Sequence, residues 1–371
     1  MKKHLLFIFA ALLPLLASAQ TEVEIDGIWY NLVSKAKLAE VKSSGGTKYS
    51  GTITIPATVT YEGEAYSVTS IGSSAFSGCS SLTAVHIPAS VTSIGSSAFY
   101  GCSSLTAVHI SSIEAWCKIT FENYESNPLY HAHNLYLNGE LVTNLVIPDG
   151  VTSIGNYAFL DCSSLTAITI PEGVTSIGDY AFRDCSSLTD IVVAEGNQKY
   201  DSRGGCKAII ETASNTLISG CSTTIIPEGV TSIGGSAFTG CTSLTAITIP
   251  EGVKSIGTKA FYGCYKLKII TSYATVPPTC GANALYGIDE RHCMLRVPIG
   301  YAAAYQAADQ WKEFFFVEDV VEVDTNIEHS ESTIQDSQSI YDLSGRKIVV
   351  DDLSELQKGI YIINGRRVLV K

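Results

Sequence analysis

Apolar positions recur along most of this chain with a period of 23 residues. The clearest marker is the phrase V-[TK]-S-I-G-x-x-A-F, which is followed three residues later by a cysteine. Successive copies, such as those ending at Phe159 and Phe182, are 23 residues apart. A fixed period of this length predicts a solenoid, in which similar coils stack on one another. The copies occupy residues 68–76, 91–99, 151–159, 174–182, 230–238 and 253–261.

Each period contains one predicted strand and one return segment. In the coil that starts at Leu165, the spacing L-x-x-I-x-I is that of the strand in leucine-rich repeats. Ile168 and Ile170 share one face of this strand, while Thr169 points away from them. Pro171 ends the strand because it has no N–H to donate. The return segment is expected to fill the interior with Val174, Ile177, Ala181, Phe182 and Cys185. The predicted fold is therefore mainly β, a leucine-rich-repeat solenoid of ~23-residue coils with stacked parallel strands.

The ends and the two longer gaps between repeats define the predicted organisation. Residues 113–148 and 200–227 each deliver a further strand that ends in I-P, so we interpret them as enlarged coils with surface loops. Because the first and last coils would expose strand edges, caps are expected at both ends. The predicted segments are a signal peptide (1–19), an N-terminal cap (20–66), the solenoid with its terminal cap (67–319), a polar linker (320–339) and a small C-terminal β segment (340–371).

Residues 1–19 have the plan of a secretory signal peptide. Lysines at positions 2 and 3 precede an apolar run over 5–16, and an A-S-A sequence occupies 17–19. This order predicts cleavage near Ala19 and export of the remaining chain. The apolar run is short for a bilayer span, and no second long apolar run follows it, so no membrane span is expected.

The charge of the chain argues against nucleic-acid binding. The formal net charge is −12, and it becomes −14 without Lys2 and Lys3, since residues 1–19 contain no acidic side chain. An acidic surface without a basic patch repels phosphate backbones. Nucleic acids are therefore excluded as expected partners.

The chain contains eleven cysteines, which in an exported protein raises the possibility of disulfides. Six of them recur at the interior position of the repeat, where a thiol behaves as a small buried apolar group. We therefore predict ladders of free buried thiols. Cys206 with Cys221, and Cys280 with Cys293, remain the alternatives for disulfides because they lie outside that register.

The outward strand positions form the predicted binding face. They are mostly small and polar, which favours a flat, hydrated contact with another protein over a deep pocket. The oligomeric state does not follow from the sequence. The residues assigned to this face are Thr83, His86, Thr106, His109, Thr166, Thr169, Thr245 and Thr248.

Chemistry of other kinds has weaker support in the sequence. His86 and His109 are expected to stack on the outer face of the sheet, and His131 and His133 form an H-x-H pair, but no third or fourth metal ligand is evident. The chain has no G-x-S-x-G, H-E-x-x-H, Walker or G-x-G-x-x-G motif. No enzyme activity, metal or cofactor is predicted.

Aromatic residues of the first enlarged coil support an alternative function. Exposed aromatic rings can stack on sugars, so a glycan-binding surface protein is the second hypothesis, although aromatic residues more often pack inside. The candidate stacking residues are Trp116, Tyr124, Tyr130 and Tyr136.

The coil I-P-x-x-V-T-S-I-G-x-x-A-F-x-x-C-S-S-L resembles the BspA-like leucine-rich repeat family of bacterial surface proteins. The resemblance covers roughly residues 50–318, and the end of this range, V-P-I-G-Y at 297–301 with Trp311 and Phe314, is similar to the terminal coil of that family. The resemblance implies exposure on the cell surface and adhesion to host or partner-bacterium proteins, including extracellular-matrix components.

The C-terminal segment carries a second resemblance. The sequence I-Y-D-L-S-G-R-K at 340–347, the K-G-I-Y at 358–361 and the basic last strand resemble the C-terminal sorting domain of the type IX secretion system. The segment is shorter than a complete sorting domain of that kind. The combination with the repeats implies a Bacteroidetes-type bacterium and an exported product that is anchored or released.

Overall fold

The computed structural model describes residues 20–323, 340–342, 347–348, 359–363 and 366–370 of the 371-residue chain. Within these residues the fold is a mainly β solenoid of stacked parallel strands with few helices, which confirms the predicted fold class. The predicted signal peptide and most of the predicted linker lie outside the described residues.

The N-terminal part contains six strands. The first three form an antiparallel ribbon. Of the others, β4 pairs with the first longer strand of the solenoid and β6 pairs with its first short return strand. β6 crosses the predicted cap boundary at residue 66. The strands are β1 (Gln20–Ile25), β2 (Ile28–Val33), β3 (Leu38–Val41), β4 (Gly51–Thr54), β5 (Thr58–Tyr61) and β6 (Glu64–Ile71).

The next part of the solenoid alternates longer strands on one edge with two-residue strands on the other. The strands are β7 (Leu82–Ile87), β8 (Ser93–Ile94), β9 (Ala107–Ile110), β10 (Thr120–Phe121), β11 (Leu135–Leu137), β12 (Glu140–Leu141), β13 (Asn144–Val146), β14 (Ser153–Ile154), β15 (Ala167–Ile170), β16 (Ser176–Ile177) and β17 (Asp190–Val193). The first enlarged coil adds α1 (Ile113–Cys117), a 3₁₀ turn (Tyr124–Ser126) and α2 (Leu129–Ala132).

The second enlarged coil and the coils after it continue this pattern. The strands are β18 (Tyr200–Asp201), β19 (Ile209–Glu211), β20 (Thr216–Ser219), β21 (Ser232–Ile233), β22 (Ala246–Ile249), β23 (Ser255–Ile256), β24 (Ile269–Ser272), β25 (Thr279–Cys280), β26 (Met294–Pro298) and β27 (Phe316–Val323). The helical segments are α3 (Ala302–Ala307) and 3₁₀ turns at Arg203–Gly205 and Trp311–Glu313.

Four further strands belong to the C-terminal segment, namely β28 (Ile340–Asp342), β29 (Lys347–Ile348), β30 (Gly359–Ile363) and β31 (Arg366–Val370). The backbone of β31 pairs in parallel with the end of β27, and β30 and β28 follow in antiparallel order. The end of β27 lies within the segment predicted as a linker.

Neighbouring coils stack with equivalent residues side by side. In the longer strands, Ala84 pairs with Ala107 and Ile168 with Ile191, in parallel and 23 residues apart. The short return strands keep the same step, and Ser153 pairs with Ser176. The sequence period is therefore the geometric period of the stack.

The interior is a column of aromatic rings flanked by aliphatic side chains. Phe76 and Phe99 stack with ring centroids 4.9 Å apart, and Phe238 and Phe261 repeat this distance. All four side chains are fully buried. Stacking of consecutive coils thus provides the second wall that one coil lacks.

A loop with a fixed hydrogen-bonding pattern carries these phenylalanines. We call the segment G-x-x-A-F-x-x-C of each coil the A-F loop. In the loop of Phe159, the N–H groups of Tyr157, Phe159 and Asp161 donate to three carbonyl oxygens of the next coil at 2.8–2.9 Å. The residue before the alanine has positive φ in seven coils, at Ser74, Ser97, Tyr157, Tyr180, Ser236, Lys259 and Asn283.

The cysteines form the predicted thiol ladders. The Cys102 thiol donates to the carbonyl oxygen of Phe76 at 3.2 Å, and the Cys264 thiol donates to that of Phe238 at 3.3 Å. All eleven cysteines of the chain lie among the described residues and are free thiols, including both pairs considered as disulfide alternatives. Burial raises the pKa of Cys102 and of Cys264 to about 12.

Thiol titration checks this arrangement. We expect the native protein without reductant to react negligibly with a thiol reagent at pH 8, because the thiolate is the reactive form and burial suppresses it. In denaturant all eleven thiols should react. A lower count in denaturant would reveal disulfides and contradict the structure.

Candidate binding surfaces

The outward side chains of the longer strands form aligned rows on what we call the sheet face. In the first row, Thr54 pairs with His86, His86 with His109 and His109 with Tyr136. These positions point outward because the alternate residues, such as Val85 and Val108, are buried. The backbone register therefore places three aromatic rings side by side on the sheet face.

The histidine rings stack closely. The centroids of His86 and His109 are 4.2 Å apart with an interplanar angle of 6°, and the Tyr136 ring lies 4.7 Å beyond His109. Burial, and secondarily the His86 ring, lowers the pKa of His109. The lowered pKa favours the neutral form of His109 at neutral pH. Because the rings are stacked, they cover one another's faces and present their edges outward.

The sheet face changes character along the solenoid. Val146 and Val192, which flank Thr169 in register, have 58% and 45% of their surfaces exposed. Beyond the second enlarged coil a separate sheet begins, in which the equivalent outward residues Thr248 and Thr271 pair with each other and Thr271 pairs with Arg296. Arg296 forms an ion pair with Glu318, with 3.4 Å between nitrogen and oxygen. The face thus has an aromatic segment, an aliphatic segment and a polar segment in chain order.

The remaining predicted contact residues form a separate row at the start of the strands. Thr83, Thr106, Thr166 and Thr245 are all exposed. The hydroxyl of Thr106 donates to the Thr83 carbonyl oxygen at 3.3 Å, and that of Thr166 donates to the Thr143 carbonyl oxygen at 3.0 Å. These side chains consequently stabilise the stacking of coils and have less hydrogen-bonding capacity left for a partner.

The structure separates the four candidate glycan-stacking residues. Trp116 is only 1% exposed, and its indole N–H donates to the Ala158 carbonyl oxygen at 2.7 Å. Trp116 therefore belongs to the core, and the prediction that it stacks on sugars is wrong. Tyr136 belongs to the sheet face, while Tyr124 and Tyr130 remain together with ring centroids 5.2 Å apart.

A row of tyrosines on the A-F loops was missed in the sequence analysis. Tyr157 and Tyr180 stack with centroids 5.6 Å apart, and the Arg183 guanidinium lies 5.5 Å from the Tyr180 ring centre. Both tyrosines occupy the positive-φ position, which turns the side chain away from the interior. The replacement of serine by tyrosine at this variable position was the available signal.

The family of the chain follows from its repeats. The sequence pattern described as "BspA type Leucine rich repeat region" matches in six copies over residues 53–134, 132–203 and 214–287, more than half of the chain. The chain belongs to the BspA-type leucine-rich repeat family. Among curated proteins, none matches the sequence.

Solved structures similar to this BspA-type protein include three from bacteria. A leucine-rich cell surface protein of Faecalibacterium prausnitzii is 24% identical, with 81% of this chain and 89% of that chain covered and a TM-score of 0.42. A leucine-rich repeat protein of Eubacterium ventriosum is 20% identical, with 92% and 97% covered and a TM-score of 0.43. The pneumococcal vaccine antigen PcpA is 19% identical, with 75% and 82% covered and a TM-score of 0.41.

The described part of the BspA-type chain contains neither a helix that could span a membrane nor a cluster of metal-binding side chains. Among those residues, no helix is both long and apolar enough to cross a bilayer. No cluster of three or more histidine, cysteine or acidic side chains there has the geometry to hold a metal ion. In the H-x-H pair, His133 lies 3.2 Å from the Asp161 carbonyl oxygen, whereas the buried Nε2 of His131 has no hydrogen-bond partner.

The aspartate whose backbone carbonyl oxygen contacts His133 has a half-buried side chain. Asp161 occupies a positive-φ position that is glycine in other coils, for example Gly78 and Gly240. Burial, and secondarily Asp184, raises the pKa of Asp161 to about 7, and Arg183 opposes the shift. The folded state therefore favours the protonated acid.

Stability should depend on pH through Asp161. The pKa of Asp161 in the folded state is above its unfolded value. Its carboxyl group therefore leaves the free energy of unfolding unreduced below about pH 4 and lowers it progressively as the pH rises to 7. We expect Asp161→Gly to raise the free energy of unfolding more at pH 8 than at pH 5, by about 1–3 kcal/mol. Urea denaturation at both pH values measures this.

The variant Asp161→Asn is the matched control, since it removes the charge but keeps the strain of a side chain at positive φ. It should show the same pH dependence as the glycine variant, with a smaller gain at pH 5. Equal gains at pH 5 and pH 8 for both variants would contradict a raised pKa.

Proposed function

We propose that this chain is an exported surface protein that binds another protein on its sheet face. The observation that carries the proposal is the stack of His86, His109 and Tyr136. Val146 and Val192 add exposed aliphatic surface on the next sheet along the chain. Aromatic and aliphatic side chains on a rigid, flat surface supply contact area at little cost in side-chain entropy. Membership of the BspA-type family supports a location at the cell surface.

The aromatic segment is the part of the face where binding energy should concentrate. Its rings are held by backbone register and by mutual stacking, so little ordering is required when a partner binds. Host or matrix proteins with apolar patches are the proposed partners, and adhesion is the proposed consequence.

A non-enzymatic role is part of the same proposal. A leucine-rich-repeat solenoid typically serves as a binding scaffold. The thiols are the strongest potential nucleophiles, and all but that of Cys280 are buried. Burial raises the pKa of Cys117 and of Cys293 to about 12. These features support binding as the function of the described residues.

Substitution of the histidines tests the proposed face. We expect His86→Ala/His109→Ala to weaken binding to a matrix-protein partner by about tenfold or more, because truncation removes the centre of the aromatic segment. Surface plasmon resonance against a panel of extracellular-matrix proteins and glycans measures the effect. Unchanged thermal unfolding would show that the solenoid is intact.

The variant Thr248→Ala/Thr271→Ala is the matched control, since it truncates two side chains at the equivalent outward strand positions in the polar segment. It should leave the affinity within about twofold. Equal losses in both double variants, or no protein bound by the parent, would overturn the proposal.

Glycan binding is the second candidate, favoured by the tyrosines outside the sheet face. Tyr124 and Tyr180 have 43% and 42% of their surfaces exposed. In the same panel, glycan binding that is lost in Tyr124→Ala and kept in the histidine variant would establish this candidate in place of the first.

Export by type IX secretion after cleavage near Ala19 is the proposed route. It rests on the resemblances of the N-terminal and C-terminal segments. Mass spectrometry of surface and culture-medium fractions from the native cells should find a product that begins near Gln20 and has lost its C-terminal segment. A periplasmic product that still ends at Lys371 would exclude this route.

A further inference from the structure

The second enlarged coil lacks a full A-F loop. In a regular coil, eight positions separate the return-strand isoleucine from the cysteine, as from Ile154 to Cys162. In the second enlarged coil, Leu217 takes the place of that isoleucine by pairing with Ile233, and Cys221 follows after only four positions. Four residues of the loop are therefore missing.

Hydrogen bonds show which residue stands in for the missing phenylalanine. In a regular coil, the phenylalanine N–H donates to the alanine of the next coil, and Gly220 donates in the same way to Ala237 at 2.8 Å. The Cys241 thiol lies 3.9 Å from the Gly220 carbonyl oxygen, which repeats the contact of Cys264 with Phe238. Gly220 thus occupies the phenylalanine position in the backbone, and the Phe238 ring packs directly against its Cα, so that no side chain fits there.

A cleft of about 370 Å³ lies at this place, between the coil of Phe182 and the coil of Phe238. The hydrophobic core divides into two clusters on either side of it. The Phe159 and Phe182 rings are 5.7 Å apart, wider than the 4.9 Å of the Phe238 and Phe261 pair. The cleft is therefore a gap in the aromatic column.

The first enlarged coil shows how such a gap can be filled from within the chain. There the Trp116 indole donates to the Ala158 carbonyl oxygen, and the Asn127 side-chain amide donates to the Tyr157 carbonyl oxygen at 2.6 Å. The second enlarged coil provides no equivalent tryptophan, because its aromatic residue Tyr200 lies at the return strand and accepts from the Ile177 N–H at 3.1 Å.

Tyr180 and Phe182, which line the cleft, differ from their counterparts in other coils in their backbone hydrogen bonds. In the other complete coils that are followed by a regular coil, the residues at these two positions donate their backbone N–H groups to carbonyl oxygens of the next coil. Ser236 and Phe238 do so at 2.9 and 2.7 Å. Among the described residues, the N–H groups of Tyr180 and Phe182 have no acceptor. The third donor of this loop, the N–H group of Asp184, donates to the Thr239 carbonyl oxygen at 3.3 Å and closes one end of the cleft.

The lining of the cleft limits what can bind there. Its interior includes apolar groups of Phe182, Ile218 and Ala237, while Asp179 and Glu211 lie at its polar parts. Arg183 also lines the cleft, but its guanidinium already pairs with Asp184 at 2.9 Å, so the two carboxylates disfavour an anionic ligand. A ligand that has neutral carbonyl oxygens and an apolar side chain would match both the backbone N–H donors and the apolar interior of the cleft.

We propose that the cleft binds an extended peptide segment of a partner protein. Two carbonyl oxygens of the segment, two residues apart, accept from the N–H groups of Tyr180 and Phe182, as strands accept at an open edge. An aromatic side chain of the segment packs against Phe182 and Ile218, which line the cleft. This site is independent of the proposed sheet-face binding.

Hydrogen exchange with a defined peptide tests the site. The probe is a synthetic peptide with the sequence of residues 253–263, V-K-S-I-G-T-K-A-F-Y-G, because this stretch supplies the equivalent contacts to the Phe238 coil. In the native protein, saturating peptide should slow exchange of the Tyr180 and Phe182 amides by about tenfold or more. Binding without this protection, or no binding at about 1 mM peptide, would overturn the proposal.

Matched variants locate the effect. Ser219→Phe places a ring in the cleft and should weaken peptide binding by about tenfold or more, whereas Ser153→Phe, on the exposed edge of a regular coil, should leave it unchanged. A peptide with alanine in place of its phenylalanine should also bind at least about tenfold more weakly. Equal binding by all variants, or protection by a neutral trisaccharide and not by the peptide, would contradict a peptide site.

Discussion

The contact between one coil and the next is the constraint on which the whole structure depends. A single coil has apolar side chains on only one side of a thin wall, and ordering its backbone costs about 1–2 kcal/mol per residue. The next coil supplies both the covering apolar surface and the acceptors for its N–H groups, as at Phe159 and Ala181. In the regular coils, the side chains that serve this contact are fixed by the register of 23 residues.

This constraint explains which parts of the structure could be predicted from the sequence. Interior residues such as Phe238 and Cys264 repeat because each must meet its copy in the next coil, so period and burial could be predicted together. The stacking of His86 and His109 on the outer face followed from the same register. Strand alternation and a fixed period are sufficient for these conclusions.

Features that arise where the period is interrupted could not be predicted in the same way. Trp116 lies in a segment without repeat register, so the period does not predict that its side chain is buried. It packs in the first enlarged coil and donates to the Ala158 carbonyl oxygen of the next coil. The pKa of Asp161 depends on burial by other coils. The gap at Gly220 was visible as a shortened spacing from Leu217 to Cys221, but its consequence required the hydrogen bonds of both neighbouring coils.

The positive-φ residue of the A-F loop has a consequence for how this protein can diversify. Its backbone conformation disfavours β-branched side chains, and the residues found there are serine, tyrosine, lysine and asparagine. Within that limit the position accepts a hydroxyl, a phenol, an amine or an amide while the adjoining alanine and phenylalanine stay unchanged. The solenoid therefore presents one variable side chain at the same place in each coil, and its surface chemistry can be altered one coil at a time without repacking the interior.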